Sequence, residues 1–304
     1  MLITLAIVSV LVFVLAQVVP GDVGRTILGR FATTEQVEAL NHELGYDRPL
    51  PVRYGDWVGG FVRGDWGESV LLKRPIRPLV FDRFWNSLQL ALVAIVIIVP
   101  LSIALGVLSA LKEGGPLDRT TSIVGVSLIA IPEFVSGTIL LVLFAIALRW
   151  FPVSAQAPPG ADFLERVHRL LLPSVPLMFV LFGYIARMAR AGTLDALGSQ
   201  YVRTAVLKGL PRWHIVVRHV LRNSLLPTIT VVGVQIGWLV GGLVVIETLF
   251  NYPGIGSLML DAAKGHDIPV LEATVLVVAL VYMLLNLASD VLYGLLNPRI
   301  LHAG

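Results

Sequence analysis

Long apolar stretches alternate with shorter polar ones along the whole chain. Six of the apolar stretches carry almost no charge: Leu2 to Val19, Asn86 to Leu111, Thr120 to Leu148, Leu171 to Ala191, Leu226 to Phe250 and Val270 to Leu296. A run of about 20 apolar residues crosses the roughly 30 Å hydrocarbon core of a bilayer as a helix, because only an internally hydrogen-bonded backbone is tolerated there. The pattern predicts an all-α integral membrane protein with six transmembrane helices. The first run lacks a basic n-region and a small-x-small cleavage site before Pro20, so it reads as a retained span and not as a signal peptide. No basic residue precedes it, and its abrupt beginning at Met1 suggests a natural start further upstream.

Lys and Arg in short loops set orientation. Arg187, Arg190, Arg203, Lys208, Arg212, Arg218 and Arg222 share one segment with a single acid, Asp195, which places that segment in the cytoplasm. Both termini and the loop from Lys112 to Arg119 are then also inside, and the connections after spans one, three and five are outside. Residues 20–85 carry nine Lys/Arg and nine Asp/Glu, and a segment so long and balanced translocates regardless of its charge. The expected organisation is a first span at 1–19, an external subdomain at 20–85, a membrane core at 86–296 with a cytoplasmic loop at 192–225, and a cytoplasmic tail at 297–304. A helix near Thr33 to Leu44, with Thr34 as cap candidate and Glu35 and Glu38 in its first turns, fits inside the external subdomain.

Pro100, Pro132, Pro173, Pro176 and Pro227 predict kinks in or at the ends of the spans. Gly233, Gly237 and Gly241 make a smooth stripe on the fifth span, the surface of a close helix interface. Only 14% of the residues are charged, against about 25% in a soluble domain, and 56% are hydrophobic, so there is too little polar surface to cover a water-exposed particle. The absence of cysteine excludes disulfides, thiolate metal sites and cysteine nucleophiles. His42, His168, His214, His219, His266 and His302 fall in expected loops, and the i, i+5 spacing of His214 and His219 is poor for a metal on a helix. No catalytic or metal site is predicted, and no Gly-x-x-x-x-Gly-Lys-Ser/Thr stretch exists to cradle a nucleotide.

The cytoplasmic loop is longer than a turn needs and carries two helical patterns. Val202, Ala205, Val206 and Gly209 form a small-residue stripe ending at Gly209-Leu210-Pro211. Trp213, Val216, Val217, Val220 and Leu221 form a second stripe, with His214, Arg218 and Arg222 on another face. A basic amphipathic helix of this kind lies against anionic headgroups, or the smooth face of the first helix docks in a groove of a soluble partner. A nucleic-acid surface would want interleaved aromatics or a binding module, and neither is present.

Several of these residues also carry a resemblance. The stretch from Tyr201 to Leu210, followed by Arg218-His219-Val220-Leu221-Arg222-Asn223-Ser224-Leu225-Leu226-Pro227, resembles the ATPase-docking loop of ABC importer permeases, closest to the dipeptide/oligopeptide/nickel type. Leu44-Gly45-Tyr46-Asp47-Arg48-Pro49-Leu50-Pro51 and Gly64-Asp65-Trp66-Gly67-Glu68-Ser69 are similar to that family's first external region. Trp150-Phe151-Pro152-Val153-Ser154, Glu247 to Gly256 and Asn297-Pro298-Arg299 resemble its later motifs, so the likeness covers nearly the whole chain. Importer permeases in general show Glu-Ala-Ala ahead of the loop glycine; here Arg203-Thr204-Ala205 stands there, a drift similar to that of peptide-type members.

The resemblance implies a non-catalytic permease subunit of an ATP-driven importer in a bacterial-type cytoplasmic membrane, carrying short peptides or, with the same architecture, nickel, a metal chelate or a porphyrin. It implies a second homologous permease, two ATPase subunits or a fused pair that bind ATP and Mg, and an external substrate-binding protein. Tyr201, Val202, Arg203, Ala205, Lys208 and Gly209 would then form the coupling helix that meets the ATPase. Polar residues in spans are costly and are functional candidates; of Gln89, Glu133, Arg187, Gln235, Glu247, Asn286 and Asp290, the passage is assigned Gln235, Glu247 and Asn286. A secondary carrier, the alternative of another class, would want a charged midplane and inverted repeats, and the sequence shows neither clearly.

Overall fold

The apolar runs fold as helices, and the polar connections add shorter ones, in a computed structural model that describes residues 2–18, 23–29, 31–43, 45 and 47–296. In chain order α1 (Leu2–Val18), α2 (Val23–Leu28), α3 (Thr34–Glu43) and α4 (Leu50–Arg63) precede α5 (Ile76–Leu111), α6 (Pro116–Ala130) and α7 (Glu133–Leu140). A π-helix, Leu141–Ala147, extends α7, and α8 (Phe163–Leu197), α9 (Gln200–Leu207) and α10 (Arg212–His214) follow. A second π-helix, Ile215–Val220, leads into α11 (Leu221–Ser224), α12 (Leu226–Leu249), α13 (Ile255–Gly265) and α14 (Ile268–Leu296). Among the described residues the β pairing is confined to an isolated bridge between Glu68 and Pro75.

Helices α5, α8 and the part of α14 from Ile268 to Val291 are each long and apolar enough to cross a membrane, and the number rises from 3 to 5 if two bent pairs each count as one span. Those pairs are α6 with α7 and its π extension, bent by 101°, and Arg212–Ser224 with Leu226–Gly237, bent by 48°. Helix α1 is apolar but shorter, at 17 residues. The expected single span from Thr120 to Leu148 is therefore two helices meeting at Ile131-Pro132. Pro132 has no amide hydrogen to donate and pushes the preceding residue out of helical conformation, and Ile131 sits at φ −86, ψ 120. By contrast, α5 continues through Pro100 and α8 through Pro173 and Pro176, while Pro227 lies at the start of α12, where its missing amide leaves no bond unmade.

Two spans are longer than expected. Helix α5 begins at Ile76, ahead of Asn86, and its 36 residues rise about 54 Å, well beyond a bilayer core. Helix α8 runs from Phe163 to Leu197, past both ends of Leu171 to Ala191. Of the histidines expected in the connections, His168 lies instead in α8; His42 in α3, His214 in α10 and His219 in the second π-helix occupy short helices of those connections, and His266 is the left-handed cap of α13. Leu44 and Tyr46, the Asn297-Pro298-Arg299 motif and the tail at 297–304, with His302, lie outside the described residues.

Two compact units divide the chain, Met1–Leu88 with Pro253–Met283 and Gln89–Tyr252 with Leu284–Gly304. In the first unit the cap of α3 is Thr33, one residue before the expected Thr34. The Thr33 Oγ1 accepts from the Gln36 amide at 3.3 Å and Gln36 Oε1 accepts from the Thr33 amide at 3.0 Å, a reciprocal capping box. After α4 the Gly64 to Ser69 motif makes a tight turn in which Asp65 Oδ1 accepts from the Gly67 amide at 3.2 Å and the Trp66 ring stacks on Phe61 at 4.5 Å. The turn delivers Ser69 to Asp267, which is 2% exposed. The Asp267 carboxylate accepts from Ser69 Oγ at 2.5 Å, from the Leu71 amide at 3.1 Å and from the Val70 amide at 3.2 Å. Ile76, Val80, Ile255, Leu258, Val270 and Ala273 form the apolar core beside it.

In the second unit α8 packs chiefly on α6 and α12, around Leu177, Leu181, Ile185, Leu239, Leu243 and Ile246. Gly183 lies so close to α6 that a Cβ there would collide with the Gly125 carbonyl and the Ile129 side chain, the close approach that small residues permit between membrane helices. Of the stripe on the fifth span, Gly233 lies against the Ser289 side chain.

Asp267 holds two backbone amides and a hydroxyl in a buried place, so its loss orphans donors that cost about 1–3 kcal/mol each when unsatisfied. Asp267→Ala should open the turn after Ser69 and speed trypsin cleavage after Lys73 about ten-fold, with Asp267→Asn intermediate. Unchanged cleavage in detergent would show that the carboxylate does not hold the turn.

Candidate functional site

The basic loop is a small structure with its own core. Helix α8 ends at Gly198, whose amide donates to the Leu194 carbonyl at 3.1 Å, and Ser199 opens α9 from an extended conformation. Val202 and Ala205 on α9 are buried with Ala196, Ile215 and Val220, and Leu197 and Leu210 pack on the same cluster. The expected docking face is corrected by this arrangement: Val202 and Ala205 point into the loop's own core, so the small-residue stripe is not a free surface. The outward residues are Tyr201, Arg203, Lys208, Val206 at 59% exposure and Leu207 at 87%.

Gly209 closes α9. It sits at φ 73, its amide donates to the Val206 carbonyl at 2.9 Å, and the Leu210 amide donates to the Ala205 carbonyl at 3.3 Å. These two bonds make a Schellman motif, with Leu210 folding back onto the helix it terminates. A Cβ on Gly209 would meet nothing within 4 Å. The left-handed backbone, and not lack of room, is what requires glycine here.

The second helix of the loop also differs from its expected stripe. Ile215 and Val220 are the buried residues, while Trp213 is 68% and Val217 58% exposed. Residues Ile215–Val220 form the π-helix, in which partners five apart share a face and the 3.6-residue phase is lost. The centroids of the His214 and His219 rings stand 6.0 Å apart on this wide turn. Among the described residues, no group of three or more His, Asp or Glu side chains could hold a metal ion.

An ion pair that the sequence reading missed ties α8 to α6 just ahead of this loop. Arg190 on α8 donates from Nε to Asp118 Oδ1 at 2.5 Å and from Nη2 to Oδ2 at 2.9 Å. Asp118, in the first turn of α6, is buried, and its Oδ2 also accepts from the Gly114 amide at 2.9 Å. The planar guanidinium meets both oxygens at once, which a lysine could not do. The available signal was an acid at the very start of an apolar helix. Two residues further along α8, Gly192 lies against the Ser224 carbonyl so tightly that a Cβ would clash, and Arg212 donates to the Leu111 carbonyl at 3.4 Å.

Deeper in the spans, a pocket of about 280 Å³ opens at the α6–α7 break, lined by Glu133, Tyr184 and Gln235 among apolar neighbours. Of the three passage candidates only Gln235 lines it. Glu247 is fully buried, 12 residues further along α12, and Asn286 lies half-buried on α14. A smaller pocket, of about 160 Å³, lies between α6 and α8 and includes Thr121, Ser122, Arg187 and Arg190.

Residues 102–302 match the family model described as binding-protein-dependent transport system inner membrane component, and residues 1–91 match the model of that family's N-terminal part. The chain is 36% identical over 299 residues to a probable peptide ABC transporter permease protein of Sinorhizobium fredii, covering 97% of this chain and 95% of that one. It is 36% identical over 297 residues to the glutathione transport system permease protein GsiC of Escherichia coli, covering 98% and 94%. An inward-facing structure of the MetNI methionine ABC transporter superposes with a TM-score of 0.57 over 72% of this chain and 96% of the matched chain. At 17% identity, that likeness shows a shared fold alone.

Because open space surrounds Gly209, substitutions there should rank by backbone preference and not by size. Gly209→Asn should be mildest, Gly209→Ala intermediate and Gly209→Val worst, at about 1–2 kcal/mol of local stability, read as faster amide exchange across residues 200–210. A ranking by side-chain volume, with Ala milder than Asn, would contradict this account.

Proposed function

The chain belongs to the family of binding-protein-dependent transport system inner membrane components, and from that premise we propose that it is a permease subunit of an ATP-driven importer of short peptides, di- or oligopeptides. The matched relatives whose names speak of peptide and glutathione transport support that substrate class. On this reading the subunit is non-catalytic. It forms the passage with a second, homologous permease, an external binding protein delivers the substrate, and two ATPase subunits or a fused pair bind ATP and Mg. Closure of the ATPases on ATP moves the spans between two access states, a two-state element biased by a ligand.

One observation carries the coupling role. Helix α9 buries Val202 and Ala205 in the loop's own core and leaves Leu207 at 87% and Val206 at 59% exposure, beside Tyr201, Arg203 and Lys208. An apolar tip ringed by basic and aromatic residues on a loop that is already packed is suited to a partner's groove. Tyr201, Arg203 and Lys208 are the contacting part of the coupling helix, Val202 and Ala205 its seat, and Gly209 its stop.

The topology completes the reading: six spans made by α1, α5, the broken α6–α7 pair, α8, α12 and α14, with both termini and the loop at 192–225 in the cytoplasm of a bacterial-type inner membrane. The segment at 20–85 is the external subdomain and the spans at 86–296 the permease core. Gln235, Glu247 and Asn286 belong to the passage.

Leu207→Asp should abolish co-purification of the ATPase in mild detergent while the permease itself remains monodisperse; retention of the ATPase would remove α9 as the docking element. Cells lacking only this gene should lose uptake of labelled di- to pentapeptides, and complementation should restore it. Intact peptide uptake with a defect in nickel uptake, or in neither, would overturn the substrate assignment and keep the permease fold.

A further inference from the structure

The pocket at the α6–α7 break has an unusual inventory. Glu133, Tyr184 and Gln235 line it, from three different helices, and the remaining wall is apolar, chiefly Ile129, Ile131 and Val180. None of the three polar side chains makes a hydrogen bond or ion pair with another described residue. Glu133 is the first residue of α7, directly after the Ile131-Pro132 break, so the backbone itself sets the carboxyl at this wall. All three lie well inside apolar stretches, where an ionisable group without a partner is costly and marks function.

The chemistry of the wall selects its occupant. It offers one carboxylate, one carboxamide and one phenol, with no Lys or Arg among the lining residues. A carboxylate in apolar surroundings calls for a cation, and the carboxamide and phenol both donate and accept. A bare divalent ion would want several oxygen or nitrogen ligands, and among the described residues no cluster of three supplies them. A carboxylate-bearing end of a substrate would be repelled by Glu133. A volume of about 280 Å³ is at the small end for ligand pockets and suits one or two residues.

We propose that this pocket receives the N-terminal ammonium group of the transported peptide, with Glu133 as its counter-ion and Gln235 and Tyr184 as partners for the first peptide amide. The inference rests on the peptide-import reading above and adds which end of the substrate the passage recognises. Binding here is an intermediate stop within the spans, separate from recognition by the external binding protein.

The test uses the complete transporter in nanodiscs without the binding protein, and a photoreactive dipeptide in free-amine and N-acetylated forms. Wild-type labelling of this chain should favour the free amine about ten-fold, the size of one charge-assisted contact. Glu133→Gln, which keeps shape and loses the charge, should lower free-amine labelling to the acetylated level, and Glu133→Asp should recover part of it. Absent labelling, labelling of the wild type indifferent to acetylation, or an undiminished Glu133→Gln would each overturn the proposal, and the wild-type comparison decides even if the variant fails to assemble. Vesicles of wild-type transporter with the binding protein separate the two levels of inference. Failure to import the dipeptide there would overturn the peptide reading itself, whereas import combined with amine-indifferent labelling overturns the pocket alone.

Discussion

Hydrocarbon offers no partner to an open backbone amide or carbonyl, so any departure from continuous helix within a span has to be covered by neighbouring protein or by a cavity. This protein departs sharply at Ile131-Pro132, where α6 and α7 meet at 101°. Val180 and Tyr184 of α8 and Gln235 of α12 stand beside the break. The packing of the second unit follows from that requirement. Helix α8 has to lie close to α6 to cover the break, and Gly125 and Gly183 are the residues that allow the approach. The 17 interior positions that α8 buries make it the helix on which the others are assembled.

The basic loop is tied to the same helix. Ala196, at the end of α8, shares a core with α9 and with the π-helix, and Arg190, less than two turns earlier, grips Asp118 at the foot of α6. Breaking a well-buried pair of this kind by removing one partner costs about 3–5 kcal/mol, less where, as for Arg190, one side chain stays partly exposed. Helix α9 is thus joined to α8 through packing, and α8 to α6 through a two-pronged charge contact. Helix α6 runs from that contact to the break.

Much of this was legible in local patterns. The apolar runs announced helices because each had to satisfy its own backbone. Pro132 announced a kink, though not a bend of 101° that parts the span into two helices, and Gly209-Leu210-Pro211 announced the end of α9. What escaped the sequence reading was of two kinds. Contacts between distant residues, Asp118 with Arg190 and Ser69 with Asp267, depend on how helices are brought together and have no local period. The second loop helix was misjudged because counting by 3.6 residues assumes an α-helix, and over Ile215–Val220 the chain is wound more widely. For α9 the periodicity found the right stripe but not its direction: a smooth face fits the loop's own interior as well as it fits a partner's groove.

The wide turn at Ile215–Val220 also bears on how this loop can change over evolutionary time. A π-turn is the shape an α-helix takes when it absorbs one extra residue without losing the helices on either side. Deleting one residue there would let the segment rewind to ordinary pitch with the helices on either side left in place. Ile215 and Val220, five apart in the wide turn, would then stand four apart and still share the face that meets Val202 and Ala205. Length at this point of the chain is thus as free to vary by one residue as identity is on the exposed side, because either change leaves the face that seats α9 intact.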